Sequence, residues 1–388
     1  MINTYRGAQK EMKLAHISDL HLGKTLYNYS LIEDQEYILD EIIKILVKKK
    51  IDVLMIAGDV YDKNVAPEAG LKVLRKFLNQ LVKAKIKVLI ISGNHDSAER
   101  LTFGGEFMTE KGIYFSKVYD GQIEPVTFTD EHGPVNFYLL PFIKPLIVQH
   151  FFEDKKIKTY TDALQVAVGH LSINTKERNI ILAHQNILTA KRCESEETII
   201  GGQDAVSDEV FKDFDYTALG HIHSLQKIGK NNVYFCGTPL KYSISEFDQE
   251  KKMPVISLGE KGNIDIEMIP LIPKRDLRKI KGTLDEILRK SHNDPNNHED
   301  FIDITLTNED EVMNAMATLR SVYPNVLKLS YDNNASRAAE RIENFSGVSE
   351  KLPLEIFETF YKSRRDTEMS EEQKSYIQSL IENIWGEN

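Results

Sequence analysis

The chain has 388 residues, too many for one typical domain and suited to a large domain with one or two smaller ones. Hydrophobic residues make up 41% and charged residues 28%, which excludes wholesale disorder. The formal net charge of -10 excludes a globally basic surface, the simplest signature of nucleic-acid binding. Any contact with DNA would therefore need a local patch, a bound metal or a partner.

The chain has no stretch near the ~20 uninterrupted apolar residues that cross a bilayer, and its start has no secretory-signal core. Its two cysteines, Cys193 and Cys236, are too few for a disulfide framework and suit a reducing compartment. We therefore expect a cytoplasmic protein with no membrane association. Residues 1–11 are polar and aperiodic, and we interpret them as an extended start or an added segment.

From Lys13, buried-strand patterns alternate with helical patterns. Helices are predicted at 31–49 and 68–83, between the strand patterns of LAHISDLHLG, IDVLMIAGD and IKVLIISGNHD. This β-α-β-α-β order predicts a sheet covered on both faces, with right-handed connections and the carboxyl ends of its strands at one edge. Ligands bind at that edge in open α/β sheets.

The remaining patterns predict short strands within 112–142, a helix at 161–173, and strands at NIILAH, YTALGHIH and NNVYFCGTPL. A hairpin around Lys261 and Gly262 closes a first domain, 12–270. Two strand–helix units, with helices at 284–290 and 309–323, and a last strand predict a small α/β domain at 274–333. A polar linker, 334–352, then leads to a helical segment, 353–388, in which Ser370 to Gln373 is a capping box.

Five short polar strings stand out, and four directly follow a predicted buried strand. They are Asp19-Leu20-His21, Gly58-Asp59, Gly93-Asn94-His95-Asp96, His184, and Gly220-His221-Ile222-His223. If their strands share one sheet, the strings converge on one edge. The D-x-H and H-x-H spacings place both side chains on the same face of an extended segment.

These strings supply candidate metal ligands: oxygens from Asp19, Asp59 and Asn94, and nitrogens from His21, His184, His221 and His223. Seven ligands are too many for one first-row divalent ion and suit two. Mixed carboxylate and imidazole ligands without thiolate favour Mn, Fe or Zn.

Two metals suit the hydrolysis of a phosphate ester. Two cations ~3.5–4 Å apart neutralise the phosphate, lower the pKa of a bridging water and stabilise the charge of the in-line transition state. Asp59 is the natural bridge between them. His95 is placed either to protonate the leaving oxygen or to stabilise the charged phosphate, and Asp96 to orient His95 by a hydrogen bond.

Each residue alone also has a structural interpretation. An Asp or Asn at a strand end usually forms a turn or caps a helix, and a lone histidine such as His16 is usually structural. For all seven ligands together this requires a coincidence at every strand end. Asp62 is either a loop cap or a group near Asp59, and Lys241 and Tyr242 either face the substrate or close a strand.

A basic cluster lies at the domain boundary. It consists of Arg275, Arg278, Lys279 and Lys281. It is either a solvated face or a contact to a phosphate backbone, and the acidic character of the rest of the chain slightly favours the second interpretation.

The strings HISDLHLGK, GDVYD, ISGNHDS, GHIH and CGTPLKYSISE, in that order, resemble the SbcD family of calcineurin-like metallophosphoesterases. The resemblance extends over nearly the whole chain from Met12. It implies an α/β fold, a β-sandwich flanked by helices, with a small α/β capping domain and a C-terminal helical pair. Leu20 stands where many relatives carry Trp, and GTPLKYS where GSP is commoner, but neither touches a proposed ligand.

The resemblance also implies a ligand set for two Mn²⁺ ions, with Mg²⁺, Fe²⁺ or Zn²⁺ as alternatives, and His95 as the catalytic histidine. One ion would be held by Asp19, His21, Asp59 and His223, and the other by Asp59, Asn94, His184 and His221.

The activity implied is that of a DNA nuclease subunit in repair, recombination and replication. With the ATPase SbcC it would be an ATP-dependent double-strand exonuclease and a single-strand or hairpin endonuclease. The resemblance further implies a homodimer through helices near 71–81 and 100–108, a heterotetramer with SbcC, and SbcC binding by residues 353–388.

Two other functions are compatible with parts of the pattern. One is a phosphatase or phosphodiesterase of the same superfamily that acts on small molecules, against which the additional domains after Pro270 argue. The other is a non-catalytic scaffold for an SbcC-like ATPase, which would require the loss of a ligand, and all seven are present.

Overall fold

The structure is a computed structural model that describes residues 11–187, 190, 205–334, 354, 357–358, 361–362 and 368–385. It divides into two compact units, Met1–Leu277 and Arg278–Asn388. The expected start, apart from Glu11, and the expected linker beyond Asn334 lie outside the described residues. The boundary at residues 270–274 stays a prediction.

The described residues form the following elements. Helices span Ile32–Lys49 (α1), Glu68–Ala84 (α2), Ala98–Leu101 (α3), Gly105–Thr109 (α4), Pro145–Phe151 (α5), Tyr160–Gly169 (α6), Leu284–Ser291 (α7), Ala315–Arg320 (α8) and Glu371–Trp385 (α9). Strands span Met12–Ile17 (β1), Thr25–Leu26 (β2), Tyr29–Ser30 (β3), Val53–Ala57 (β4), Lys87–Ile91 (β5), Ile113–Phe115 (β6), Val126–Asp130 (β7), Gly133–Leu139 (β8), Arg178–His184 (β9), Asn186–Ile187 (β10), Ala205–Val206 (β11), Tyr216–Gly220 (β12), Gln226–Ile228 (β13), Val233–Phe235 (β14), Lys252–Leu258 (β15), Ile264–Pro270 (β16), Leu277–Gly282 (β17), Phe301–Leu306 (β18) and Val326–Tyr331 (β19). Among them, no helix combines the length and apolar character that crossing a bilayer requires.

The first sheet has the order β16-β15-β1-β4-β5-β6. Strands β1, β4, β5 and β6 run parallel, and β15 is antiparallel to β1. Strands β15 and β16 form the hairpin predicted around Lys261 and Gly262. Helix α1 buries Ile38, Ile42 and Leu46 on one stripe. The parallel strands are buried on both faces, which explains their continuous apolar runs.

The second sheet has the order β13-β14-β12-β9-β8-β7. Its central strands β14, β12, β9 and β8 are parallel, and β13 and β7 are antiparallel edges. The five ligand-bearing strings thus follow strands of two sheets and not of one: β1, β4 and β5 belong to the first sheet, β9 and β12 to the second. The expectation of a single common sheet edge is therefore corrected, while the α/β sandwich with flanking helices is confirmed.

The two sheets pack face to face through a common apolar core. Met55 and Ala57 of β4 and Leu89 of β5 contribute from the first sheet, and Phe137 and Leu182 from the second. Alternate residues of the second sheet, such as Ile181, face outward and pack with α5 and α6 instead. This packing brings the carboxyl ends of parallel strands from both sheets together.

The second unit contains a three-stranded sheet of order β17-β18-β19 with its own apolar core. That core includes Ile287, Ile302 and Leu319. The helix predicted at 309–323 is wrong in extent, since α8 spans only Ala315–Arg320. Asn314 has a φ of 55°, a left-handed conformation that an α-helix does not continue through.

The capping box predicted at the start of the last helix is present. The backbone N–H of Gln373 donates to Oγ of Ser370 at 3.3 Å, and the N–H of Ser370 donates to Oε1 of Gln373 at 2.9 Å. Helix α9 begins at Glu371, one residue after the capping serine.

Candidate metal centre

The loops that follow β1 and β4 run side by side and present their acidic and imidazole side chains together. The N–H of Asp19 donates to O of Gly58, and the N–H of His21 donates to O of Asp59, each at 3.0 Å. Asp19, His21, Asp59 and His221 all have a positive φ, between 43° and 97°. Residues other than Gly rarely hold this conformation, and where they do it often marks a functional site.

Two glycines of the motifs are required because other atoms approach them too closely for a side chain. A Cβ on Gly93 would lie 2.1 Å from Oδ1 of Asp59, and a Cβ on Gly220 would lie 2.0 Å from O of Ala57 and 2.6 Å from Nδ1 of His184. The glycine before Asn94 therefore lets the loops after β4 and β5 approach each other, and the glycine before His221 lets strands of the two sheets approach.

Asp59 lies at the middle of the cluster. Its Oδ2 is 3.7 Å from Nε2 of His21 on one side and 3.3 Å from Nε2 of His184 on the other. Two groups of close ligand atoms contain Asp59, one with His21 and His95 and one with Asp19 and His184. This central place is the one that a carboxylate shared by two ions would occupy.

Asn94 contacts the imidazoles of His184 and His221, which lie at strand ends of the second sheet. Its Oδ1 lies 3.0 Å from Nε2 of His184 and 3.0 Å from Nδ1 of His221. Nδ1 of His184 donates a hydrogen bond to O of Ala57 at 2.8 Å, so the ring directs Nε2 into the cluster. The backbone N–H of His221 donates to Oδ1 of Asp19 at 3.0 Å, which ties this half to the first sheet.

His21 provides the test of whether the cluster fits a metal. Both of its ring nitrogens are buried and make no hydrogen bond within the described residues. Burial lowers the pKa of His21 well below its ordinary value, against the opposing charge of Asp59, so the ring is neutral. A buried neutral imidazole among carboxylates fits the role of a metal ligand, because polar atoms are seldom buried without a partner.

Asp59 is suited to the same role by its charge. Burial alone would raise the pKa of Asp59, but the ring of His184 in its protonated form, through its charge and its hydrogen bond, outweighs burial and holds that pKa far below the usual range. The carboxylate is therefore ionised, as metal binding requires.

His223 completes a third group of close ligand atoms, with Asp19 and His21. All seven predicted ligands are thus brought into one cluster by direct contacts or shared groups. Their assignment to two separate ions remains a proposal.

His95 and Asp96 are adjacent in the chain, but their side chains contact different groups. Nδ1 of His95 lies 2.9 Å from O of Asp62, and its side chain is 17% exposed, against 1% for His21 and 0% for His184. The carboxylate of Asp96 instead accepts the backbone N–H groups of Val60, Tyr61 and Gly93 at 2.9–3.0 Å. The expected hydrogen bond from Asp96 to His95 is therefore corrected: Asp96 joins the loops after β4 and β5, and the carbonyl of Asp62 orients the ring.

Sequence reasoning missed Gln35, which holds the loop of Asp19 and His21 from behind. Its Nε2 donates to O of His21 at 2.7 Å and to O of Leu20 at 3.1 Å. The hydroxyl of Tyr242 donates to the same O of Leu20 at 2.6 Å. A polar residue on the buried face of an amphipathic helix was the available signal for Gln35. Tyr242 is buried and supports this loop.

The basic cluster at the domain boundary is largely paired with acids. Arg275 binds Asp34 through Nε at 2.9 Å. In the second unit, Arg278 contacts Asp294 at 3.0 Å and Lys281 contacts Asp332. These pairs favour a structural role for the cluster over a contact with a phosphate backbone.

The sandwich of two sheets and the ligand cluster at their joined strand ends define a metallophosphoesterase. In agreement, the family model of calcineurin-like phosphoesterases matches residues 12–225, and a model described as the type 5 capsule protein repressor C-terminal domain matches residues 273–365. The chain is also 32% identical over 376 residues to the SbcD subunit of the nuclease SbcCD of Staphylococcus epidermidis, covering 95% of this chain and 98% of that protein. The chain belongs to the SbcD family of the calcineurin-like phosphoesterases, which use divalent metal ions.

Two solved structures show a weaker likeness. A dimetal phosphatase from Danio rerio is 11% identical, with a TM-score of 0.44, and covers 68% of this chain and 98% of its own. A protein of Thermus thermophilus is 11% identical, with a TM-score of 0.38, and covers 67% and 99%. These values are too low to carry a functional argument.

Proposed function

We propose that the chain is the nuclease subunit of an SbcCD-type complex and hydrolyses phosphodiester bonds of DNA with two Mn²⁺ ions. Asp19, His21, Asp59 and His223 would hold one ion, and Asp59, Asn94, His184 and His221 the other. The observation that carries the proposal is the central place of Asp59, between His21 of one ligand group and His184 of the other. When bound, such ions neutralise the phosphate and activate water.

Proton transfer is assigned to a residue of the chain, His95. The carbonyl of Asp62 accepts only from a protonated Nδ1 of His95, so Nε2 is the nitrogen that delivers or takes up a proton. His95 is more exposed than the buried ligands His21, His184 and His223, so its ring can reach an entering phosphate. We assign it the protonation of the leaving oxygen.

The burial of the ligands supports the same chemistry. Asp19, Asp59 and His184 are at most 2% exposed, so their charges act with little screening by water. The loops are locked by Asp96 and Gln35, so the ligands need not reorganise when the substrate arrives.

A homodimer is proposed through a groove of about 950 Å³ along α2, lined by Leu71, Leu74, Leu78, Phe103 and Met108 among others. Phe103 and Phe107 are 87% and 83% exposed, and Leu71 is 49% exposed. Large apolar side chains so exposed next to each other indicate an interface, and a second copy of the chain presents the same complementary surface.

The C-terminal helical segment is proposed to bind the ATPase subunit SbcC, giving a heterotetramer that supplies ATP-driven control. Helix α9 exposes Tyr376 and Leu380, which are 65% and 37% accessible. The first part of the segment is described only at isolated residues, of which Phe357 is 38% exposed. Exposed apolar side chains on a helix suit a groove or a coiled-coil partner.

The activity is tested with purified protein and Mn²⁺ on linear duplex, hairpin and single-stranded DNA, and on a nitrophenyl phosphodiester, with and without an SbcC-type ATPase. We expect cleavage of hairpin and single-stranded DNA, and ATP-dependent digestion of duplex ends with the partner. Turnover of the small ester without any cut in DNA under either condition would refute the nuclease proposal and leave a small-molecule phosphodiesterase.

A further inference from the structure

A buried ion pair lies directly behind His223, and no step of the proposed chemistry uses it. Glu246 is 0% exposed, and its Oε2 accepts from Nζ of Lys251 at 2.6 Å. Lys251 is itself only 8% exposed. A buried pair of charges of this kind is weak evidence for stability, because removing both from water offsets much of their attraction. Its position therefore needs another explanation.

The contacts of this pair lead to His223 and to the loop that carries Glu246. The three protons of Lys251 reach Glu246, O of His223 at 2.9 Å and Oε1 of Gln249 at 2.8 Å. The N–H of Thr238 donates to the same O of His223 at 3.1 Å. The backbone carbonyl of His223 thus accepts a hydrogen bond from the ammonium group of Lys251, which is itself paired with Glu246.

Glu246 also faces the ring of His223. Its Oε1 lies 3.8 Å from Nδ1 of His223, within the range of electrostatic attraction, and accepts the N–H of Tyr242 at 3.3 Å. Its Oε2 accepts a hydrogen bond from the Oγ1 hydroxyl of Thr238 at 3.4 Å. Carboxylates that face the outer nitrogen of a metal-binding imidazole set its tautomer and orientation.

We infer that Glu246, held by Lys251, is a positioning residue that orients the His223 ring and so sets the affinity of the metal position that Asp19, His21 and His223 share. This inference rests on the proposed metal site, but not on DNA being the substrate. The ring that Glu246 faces belongs to this position, whereas Asn94 gathers His184 and His221 at the other. The effect is therefore expected at one of the two ions.

The variant Glu246→Gln keeps the shape and an acceptor oxygen but removes the charge. We expect calorimetric titration with Mn²⁺ to show one binding step weakened by about 10- to 100-fold and the other unchanged. Glu246→Asp, which keeps the charge on a shorter arm, should recover part of the loss. The electron paramagnetic resonance signal of paired Mn²⁺ should require more metal to develop in Glu246→Gln.

The matched control is Asp130→Asn. Asp130 forms an equally buried ion pair with Arg178, at 1% and 3% side-chain exposure, at the far end of strand β7. The same chemical change there should lower the thermal stability without changing either Mn²⁺ step. Unchanged affinity at both steps in folded Glu246→Gln, or a loss equal to that of Asp130→Asn, would overturn the inference.

If Glu246→Gln alone does not fold, the double variant Glu246→Gln with Lys251→Gln decides, because it leaves no unpaired buried charge. One weakened Mn²⁺ step in that variant supports the inference, and two wild-type steps overturn it.

Titration of the wild-type chain separates the two proposals. Two Mn²⁺ steps without DNA cleavage would refute the nuclease assignment alone, whereas wild-type steps in Glu246→Gln with cleavage intact would refute only the role of Glu246.

Discussion

Oδ2 of Asp59 lies 3.3 Å from Nε2 of His184, although Asp59 follows a strand of the first sheet and His184 ends a strand of the second. The contact shows that the candidate site is built where the two sheets of the sandwich meet. Neither sheet alone supplies the complete ligand set of either proposed ion. Folding of the whole sandwich is therefore a condition for metal binding, and metal binding should stabilise the sandwich in return.

Asp59 should be needed for both metal steps, because its carboxylate lies between the two ligand groups. In Asp59→Asn we expect both Mn²⁺ affinities to fall, each by more than ~100-fold, beyond the effect of an outer residue. Asn94→Ala, which removes an oxygen near His184 and His221 only, should weaken one step. Calorimetry of the two variants makes the comparison, and an intact second step in Asp59→Asn would show that this carboxylate is not shared.

His95 should be required for turnover and not for metal binding. We expect His95→Gln to lower the rate of DNA cleavage by about 10²–10⁴-fold, the usual contribution of a proton-transferring side chain, with Mn²⁺ affinity within twofold of wild type. His170→Gln, at an exposed histidine that ends α6, is the control and should cleave normally. Rates measured at saturating Mn²⁺ decide, and cleavage retained by His95→Gln would remove its assigned role.

Gly220 should not tolerate a methyl group. In Gly220→Ala the new carbon would meet O of Ala57 at 2.0 Å, and neither backbone can move without separating the sheets. We expect a loss of about 1–3 kcal/mol in the free energy of unfolding, measured by urea denaturation. Gly169→Ala is the control, since no atom beyond its chain neighbours and its own helix backbone lies within 4 Å of its added carbon. Equal stability of the two variants would contradict the close approach.

The exposed apolar groove along α2 should control assembly. Replacing Phe103 and Phe107 together by Asp should convert a dimer to a monomer, because it puts charges in place of the two most exposed aromatic side chains of this surface. Light scattering after gel filtration measures the mass. Leu146→Asp, at a residue that is 84% exposed on α5, is the control and should leave the dimer intact. A monomeric wild-type chain at micromolar concentration would exclude this interface.

The second unit should lose stability in acid through Asp294. Burial opposes ionisation, but the hydrogen bonds from Asn296, Tyr323 and Arg278 outweigh it and lower the pKa of Asp294 to about 2. Because the pKa is lower in the folded state, the ionised group stabilises the fold above pH ~4, the ordinary pKa of an aspartate, and this contribution is lost as the pH falls towards 2.

Amide hydrogen exchange in β18 measures this contribution. Asp294→Asn should reduce protection at pH 7, and the difference from wild type should shrink at pH 3. The control Asp285→Asn, in the first turn of α7, should show a much smaller difference. A difference for Asp294→Asn that is equally large at both pH values would refute the assignment.

The sequence by itself determined the ligand types, their order along the chain and the strands they follow, because buried strands are continuous apolar runs and Gly-Asp, Gly-Asn and Gly-His interrupt them at the strand ends. These signals are local, as is the capping box at Ser370. The helix predicted at 309–323 failed since one left-handed residue, Asn314, breaks a pattern that periodicity alone continues.

Only the tertiary structure decided which sheet carries each strand and which groups support the ligands. Pairing between strands far apart in the chain leaves no mark on either segment, so two sheets could not be told from one. The partners of Asp96, Gln35 and Glu246 were equally hidden, because a carboxylate or amide acquires its role from the backbone groups that packing brings to it. The sequence motifs determine which types of ligand the site contains, whereas the packing of the two sheets determines which groups support those ligands.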